Sequence, residues 1–282
     1  MLKVYKNMPS NSEKSNPIYK YPGENGKINV ICDTMLWYHI SKTRVKDDFK
    51  LKHNLIGTYI NAIELNATEN LIKYHEDAIQ AIISLNKFAY YIIEHDPFDG
   101  FILQNIDPDY PNVIDYNVLE SLAILIKYDV SHFLQDPLKI KEVREFIDTV
   151  NEPYVRLSNE INAALPDLRK TYSNKQSFKA SQTNWEIYNM VVEIIAQRIK
   201  TEGNYKLENC EFFIVMQDKY FRMLISDEKF KAEPNDFNDL MNMVYVGKND
   251  KFYTQEKKWI EFANQAKMYD RYFVSHSDIF EE

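Results

Sequence analysis

The sequence predicts an α/β protein: a small central, mostly parallel sheet with surrounding helices, carrying a large helical insertion. Three observations predict it. A short apolar run, Ile28 to Cys32, reads as a buried strand and stops on Asp33-Thr34. Residues 65 to 235 carry helical spacing almost throughout. Near the C-terminus a helix feeds a second short strand, Lys251 to Thr254, which ends on another polar triplet, Thr254-Gln255-Glu256. Strand–helix–strand units with parallel strands bring both strand ends to the same edge of a sheet.

Residues 1–27 are polar, rich in Asn, Ser, Lys and Pro, and read as a flexible arm ahead of one domain over 28–282. The stretch INVICDTMLWYHI then organises the chain. Ligands of open α/β sheets sit at the carboxyl ends of strands, and a carboxylate beside a buried strand is usually paired, hydrogen-bonded or holding a metal. Asp33 therefore either anchors a site or caps a short helix over Met35 to Ser41. The segment SKTRVKDDFKLK concentrates Lys42, Arg44, Lys46, Lys50 and Lys52, as a solvated face or as a phosphate-contacting patch. From about Leu51 to Thr68, the stripe Leu55, Ile56, Tyr59, Ile60 and Ile63 predicts a helix. Glu64 lies on its border, reaching either solvent or a polar pocket.

The insertion, 70–230, contains predicted helices over 76–95, 116–128, 137–150, 154–165, 185–201 and 211–229. Asp136-Pro137 is a cap followed by proline at the first helical position. Gly203 closes the helix before it, and Pro97, Pro108 and Pro111 mark a break. Pro234-Asn235-Asp236 starts a further helix with Leu240, Met243 and Val244 on one face, ended by Gly247. A helix over 256–268 and a last strand over 271–275 complete the chain.

Composition excludes several chemistries. Six glycines, at 23, 26, 57, 100, 203 and 247, leave no G-x-G-x-x-G, P-loop or G-x-S-x-G motif. The six histidines never fall at H-x-x-x-H spacing, and two cysteines, Cys32 and Cys210, are too few for a zinc ribbon or a disulfide framework. A net charge of −8 argues against wholesale coating of nucleic acid, though not against a local basic face. No apolar run spans a bilayer and no signal core opens the chain, so the expected setting is cytoplasmic, with no membrane.

Three segments, in order, resemble a PIN-like nuclease domain. VICDTMLWY is similar to that family's first strand with its Asp-Thr/Ser signature, LIGTYINAIELNAT to its acidic second helix, and NDLMNMVYV…DKFYTQE to its late Asp-led helix and following strand. The resemblance implies a carboxylate cluster of Asp33, Glu64 and Asp239, with Glu256 as a fourth member and Thr254 orienting that acid or a metal-bound water. Asp236 competes with Asp239 for the helix-start position that carries the family's acid, and both are kept as candidate metal ligands. Asp239 is preferred because it directly precedes the apolar face, which leaves Asp236 as the helix cap. Met35 departs from the small polar residue usual after the Asp-Thr pair, Glu256 from the usual aspartate, and the insertion exceeds that of small PIN toxins.

Clustered carboxylates repel one another unless a cation neutralises them, and hard oxygen donors select Mg²⁺ or Mn²⁺. The resemblance thus implies metal-dependent endoribonuclease chemistry on single-stranded or structured RNA. The basic rim would run from Lys42 to Lys52, with Lys257, Lys258 and Arg271. The alternative is a catalytically inactive PIN-like scaffold whose helical insertion binds a protein partner.

Overall fold

A computed structural model describes residues 26–99, 116–127, 135–172, 189, 193 and 210–281. All of the predicted helix over 185–201 except residues 189 and 193 lies outside them, as do the Gly203 stop, Pro108, Pro111 and nearly all of the N-terminal arm. The architecture is α/β, built on four parallel strands in the order β3-β2-β1-β4. Strand β1 is Ile28–Cys32, β2 His53–Gly57, β3 Tyr91–Ile92 and β4 Lys251–Tyr253.

Side chains alternate across each strand, and here the alternation divides the core in two. Ile31, Ile56 and Phe252, in register across β1, β2 and β4, face one layer. That layer is built by α8 (Glu211–Ser226), α9 (Pro234–Met243), α10 (Lys257–Gln265) and α11 (Tyr269–Tyr272). Val30, Cys32, Leu55 and Tyr253 face the other layer, supplied by α1 (Thr34–Ile40), α5 (His75–Phe88) and α6 (Tyr116–Lys127). A parallel sheet buried on both faces explains why these strands read as short continuous apolar runs. Smaller helices α2 (Asp47–Lys52), α3 (Tyr59–Asn66) and α4 (Asn70–Lys73) fill the first half, and α12 (His276–Ile279) the C-terminus. Cys32 and Cys210 are both buried thiols.

Several sequence expectations need correction. Residues 53–57 form β2, not the start of a helix, and the helix begins only at Tyr59. Leu55 and Ile56 are adjacent, so they suit one helical stripe or two faces of a strand, and the sheet takes the second solution. Gly57 marks the division, since a Cβ there would collide with Leu85 Cδ1 and sit 3.3 Å from Ile92 Cγ1. Thr58 then caps α3, its hydroxyl accepting from the Asn61 N–H at 3.2 Å. The helix predicted over 76–95 stops at Phe88, and Tyr91–Ile92 joins the sheet as β3 inside the expected insertion.

The helices expected over 137–150 and 154–165 are one 36-residue helix, α7 (Pro137–Tyr172), with Pro153 and Pro166 inside it. Proline removes one helical hydrogen bond, but tertiary anchors hold α7 through it. Asn162 exchanges hydrogen bonds with the Ala232 backbone at 2.8 and 2.9 Å, and Ile147 and Leu165 are buried. Asp136 accepts from Leu138 N at 2.9 Å, as the cap reading expects. The predicted strand over 271–275 is absent: Tyr269–Tyr272 is helical, and Phe273 alone bridges to Phe252. Among the described residues no helix is long and apolar enough to cross a membrane.

Candidate acidic site at the sheet edge

The strand order places β4 on one side of β1 and β2 and β3 on the other, so the order in which strands join the sheet switches sides between β1 and β4. That crevice, at the carboxyl ends of the strands, is where open α/β sheets bind ligands. Asp33 follows β1 and Thr254 follows β4, and the Thr254 hydroxyl donates to Asp33 Oδ2 at 2.6 Å. The same hydroxyl accepts from Glu256 N at 3.1 Å, which leaves its proton for Asp33. Thr254 therefore orients Asp33 rather than the Glu256 carboxylate. Asp33 also caps α1, its other oxygen accepting from Met35 N at 3.3 Å. The cap reading of this residue holds.

Glu64 comes from α3, one element away in the sheet. Its carboxylate accepts the Thr34 hydroxyl, and Asn61 fixes which way that hydroxyl points. Asn61 Oδ1 accepts from Trp37 Nε1 at 3.2 Å and from Thr58 N at 3.0 Å. Its amide nitrogen must then donate, and it does, to Cys32 O and to Thr34 Oγ1, both at 3.0 Å. With its oxygen already accepting, Thr34 can only send its proton to Glu64. Asn242 of α9 donates to the same Cys32 carbonyl at 3.0 Å and accepts from the Thr58 hydroxyl at 2.8 Å. Two buried asparagines thus tie β1, α3 and α9 together behind the acids.

Helix α9 brings the third carboxylate. Asp239 is buried, and its Oδ2 accepts from Trp259 Nε1 at 2.8 Å. Asp236, expected to cap this helix, lies one turn inside instead: Glu233 is the cap, and Asp236 Oδ2 accepts from Glu233 N at 2.9 Å and Tyr220 Oη at 2.6 Å. Glu256 approaches from the turn between β4 and α10. Lys258 sits among these three. Its ammonium bonds Asp236 Oδ1, lies 2.9 Å from Glu256 Oε2 and 3.6 Å from Asp239 Oδ2.

Three of these carboxyls are raised above their ordinary range. Burial, then the charge of Asp33, pushes the Glu64 carboxyl from 4.5 to about 8. Asp239 is held well above the ordinary range, first by burial and then by Asp33, Glu256 and Glu64. Burial also raises Asp33, against the hydrogen bond from Thr254. Four carboxyls from β1, α3, α9 and the β4–α10 turn therefore feel one another. Asn238, also on α9, is hydrogen-bonded to Glu64 and keeps a buried carbonyl oxygen that accepts from nothing.

The remaining predicted residues lie elsewhere. Lys42 pairs with Asp77 at 2.9 Å, Arg44 with Asp47 at 2.6 Å, and Lys50 with Asp47 at 3.1 Å. Lys46 donates to Ser277 O at 2.6 Å. Lys42, Arg44 and Lys50 border a cavity of about 260 Å³ between the end of α1, α2 and Phe88. Lys52 and Lys257 are exposed, and Arg271 pairs with Glu211 at 2.9 Å. Lys258, expected on the nucleic-acid rim, is instead the cation inside the acidic site. Asn61, Asn242, Asn238 and Trp259 escaped sequence reasoning, because a buried amide or indole carries no spacing signal that marks it as structural support for an acid.

The oxygen donors suit a hard divalent ion: carboxyls short of cations, an unpartnered carboxamide oxygen, and no thiolate or imidazole among them. As the side chains stand, however, no group of three His, Cys, Asp or Glu among the described residues is spaced to hold a metal. Asp33 is turned onto Thr254, Glu64 onto Thr34 and Asp239 onto Trp259. In comparisons with family models, curated proteins and solved structures, nothing matches this chain.

Proposed function

We propose that the chain is a PIN-like nuclease that hydrolyses RNA phosphodiesters with the help of Mg²⁺ or Mn²⁺. The observation that carries this reading is the meeting of Asp33, Glu64 and Asp239 at the switch point of the sheet. Each carboxyl is raised by burial, and Glu64 and Asp239 are raised further by neighbouring carboxylates. Those three carboxyls, with the free Asn238 oxygen, are the groups that would hold the ion. When bound, such an ion lowers the pKa of a water and offsets charge on the phosphate. Thr254 now holds Asp33 and the Trp37–Asn61–Thr34 chain holds Glu64, so on this reading each carboxyl turns an oxygen from its hydroxyl donor toward the ion when the ion binds. Lys258 supplies a fixed positive charge beside them. The cavity bordered by Lys42, Arg44 and Lys50 is the proposed seat for flanking phosphates.

The test is cleavage of labelled single-stranded RNA with Mn²⁺ by the full chain, Asp33→Asn and Asp239→Asn. Cleavage by the wild type that both variants lose supports the reading, and cleavage that persists unchanged in both overturns it. Lys258 favours a second reading, a PIN-like scaffold without catalysis. Its ammonium already satisfies part of the acid cluster, and the long α7 presents Leu138 and Phe146 to solvent as a protein-binding face. That reading expects no acid-dependent heat in a Mn²⁺ titration.

A further inference from the structure

We propose that the C-terminal segment 275–281 is a strap released by acid. The linked side chains of His39, Gln255 and His276 hold it down while at most one of the two rings is charged, and a second proton frees it together with the basic stretch 44–46. The inference does not draw on the reading of the acids as a cation centre.

The segment is tied on two sides. On one side its backbone runs along 44–46. Lys46 N donates to Ile279 O at 2.8 Å, Glu281 N to Arg44 O at 3.2 Å, and Phe280 bridges Val45 in antiparallel fashion. Lys46 Nζ donates to Ser277 O at 2.6 Å, and Arg44 Nε lies 3.6 Å from Glu281 Oε1. On the other side the His276 ring meets the end of β4, its Nδ1 lying 2.8 Å from Tyr253 Oη and 2.7 Å from Gln255 Nε2. Gln255 Oε1 in turn lies 2.8 Å from Nε2 of His39 on α1. Phe280 packs against both rings, its centroid 4.7 Å from that of His276 and 6.1 Å from that of His39.

Hydrogen-bond supply makes this arrangement sensitive to protons. A carboxamide accepts at one end and donates at the other, so between two rings it can accept from only one. Here His39 Nε2 donates to the amide oxygen, while the amide nitrogen and the Tyr253 hydroxyl donate to a bare His276 Nδ1. One proton is taken without loss, on the other nitrogen of His39. A second must go to His276 Nδ1, the lone pair that the amide and the hydroxyl use. Two ring N–H groups then face one amide oxygen, the buried Tyr253 hydroxyl loses the acceptor for its proton, and two charged rings stand with centroids 5.2 Å apart. Burial, and then His39, already holds His276 below the ordinary histidine range. The other ionisable groups around the pair are committed elsewhere. Asp278 is turned onto Ser275 Oγ at 2.7 Å and Ser275 N at 3.0 Å, with Lys46 and His53 acting on it. Glu281 faces Arg44, Glu256 faces Lys258, and burial, then Asp33, keeps Tyr253 a neutral donor. Once the strap is open, both rings titrate in water as ordinary histidines, so falling pH favours opening.

The experiment is hydrogen exchange read by mass spectrometry on the full chain at about pH 7.5 and 5, corrected for the intrinsic pH dependence of exchange, for wild type, His276→Gln and His39→Gln. The first variant keeps an acceptor for Gln255 and Tyr253, the second a donor for Gln255, and neither can take the second proton. In wild type, protection at 44–46 and 279–281 should fall about ten- to thirty-fold at the lower pH, the ratio set by one histidine that titrates near 6.5 in the open segment and stays neutral in the closed one. Helix α5 should keep its protection, and both variants should keep the strap closed. Equal protection at the two pH values in wild type, a fall shared by α5, or an equal fall in either variant overturns the proposal. Should His276→Gln leave the strap open at the higher pH as well, His39→Gln decides, together with ring titration by nitrogen-15 NMR. Removing His39 should raise the His276 midpoint by about half a pH unit or more, and an unmoved midpoint overturns the proposal.

Discussion

Replacing Glu64 by glutamine should stabilise the cation-free protein, and by more as pH rises. The carboxyl is pushed from 4.5 to about 8, chiefly by burial and next by Asp33, against hydrogen bonds from Thr34 and Asn238. Below the unfolded value it is protonated in both states and costs nothing. Between the two values it is ionised in the unfolded chain and protonated in the fold, so folding takes up a proton and loses stability as pH rises. Above the folded value the cost is constant. At ~1.4 kcal/mol per pH unit, the cost is about 3 kcal/mol at pH 7 and levels off between about 4 and 5 kcal/mol. Glutamine keeps an oxygen for the Thr34 hydroxyl and removes the titration. Urea unfolding followed by circular dichroism in chelator, at about pH 5, 7 and 8.5, measures the gap between variant and wild type. The comparison cancels contributions common to both proteins, such as His53 and His276, whose lowered values make the fold less stable as pH falls. A gap that stays constant across that range, or shrinks as pH rises, refutes the assignment of Glu64 as a buried acid short of a cation.

Three further substitutions probe the frame behind the acids. Asn61→Ala strands the Trp37 indole N–H and the Thr58 N–H, both buried, at about 1–3 kcal/mol each. Cys32 O keeps Asn242 as a donor, so the loss expected in a urea titration is about 2–6 kcal/mol, and a loss below about 1 kcal/mol counts against the network. Gly57→Ala drives a methyl into Leu85 and against Ile92, and should lower stability by about 1–3 kcal/mol, read as a lower Tm in calorimetry. Arg169 on α7 donates to the carbonyls of Leu224, Asp227 and Phe230 at 2.8–3.0 Å where α8 ends. Arg169→Ala should cost about 2 kcal/mol and speed hydrogen exchange at the end of α8, while Glu64 keeps its titration.

The sheet edge was legible because β1 and β4 each end abruptly on polar residues after a short apolar run, a local pattern that a single chain displays. Asp33 and Glu64 stood out for the same reason, as polar groups where apolar periodicity stops or reaches its border, while Asp239, Glu256 and the role of Thr254 came from the resemblance to the PIN-like pattern. Strands β2 and β3 were not legible. Leu55-Ile56 and Tyr91-Ile92 are too short to separate the periods of helix and strand, and pairing with β1 and β2 decides them. The predicted break between helices over 137–150 and 154–165 does not occur, because Asn162 and the buried Ile147 and Leu165 hold α7 as one helix.

By itself, then, the sequence determined the class of fold and that β1 and β4 end on polar residues, because burial patterns are written in neighbouring residues. Only the tertiary structure decided that Lys258 enters the acid cluster, that Thr254 serves Asp33, and that Asn61 and Asn242 hold the site from behind. Those choices depend on hydrogen-bond partners far apart in the chain, and a donor's need for an acceptor leaves no mark on the residues beside it.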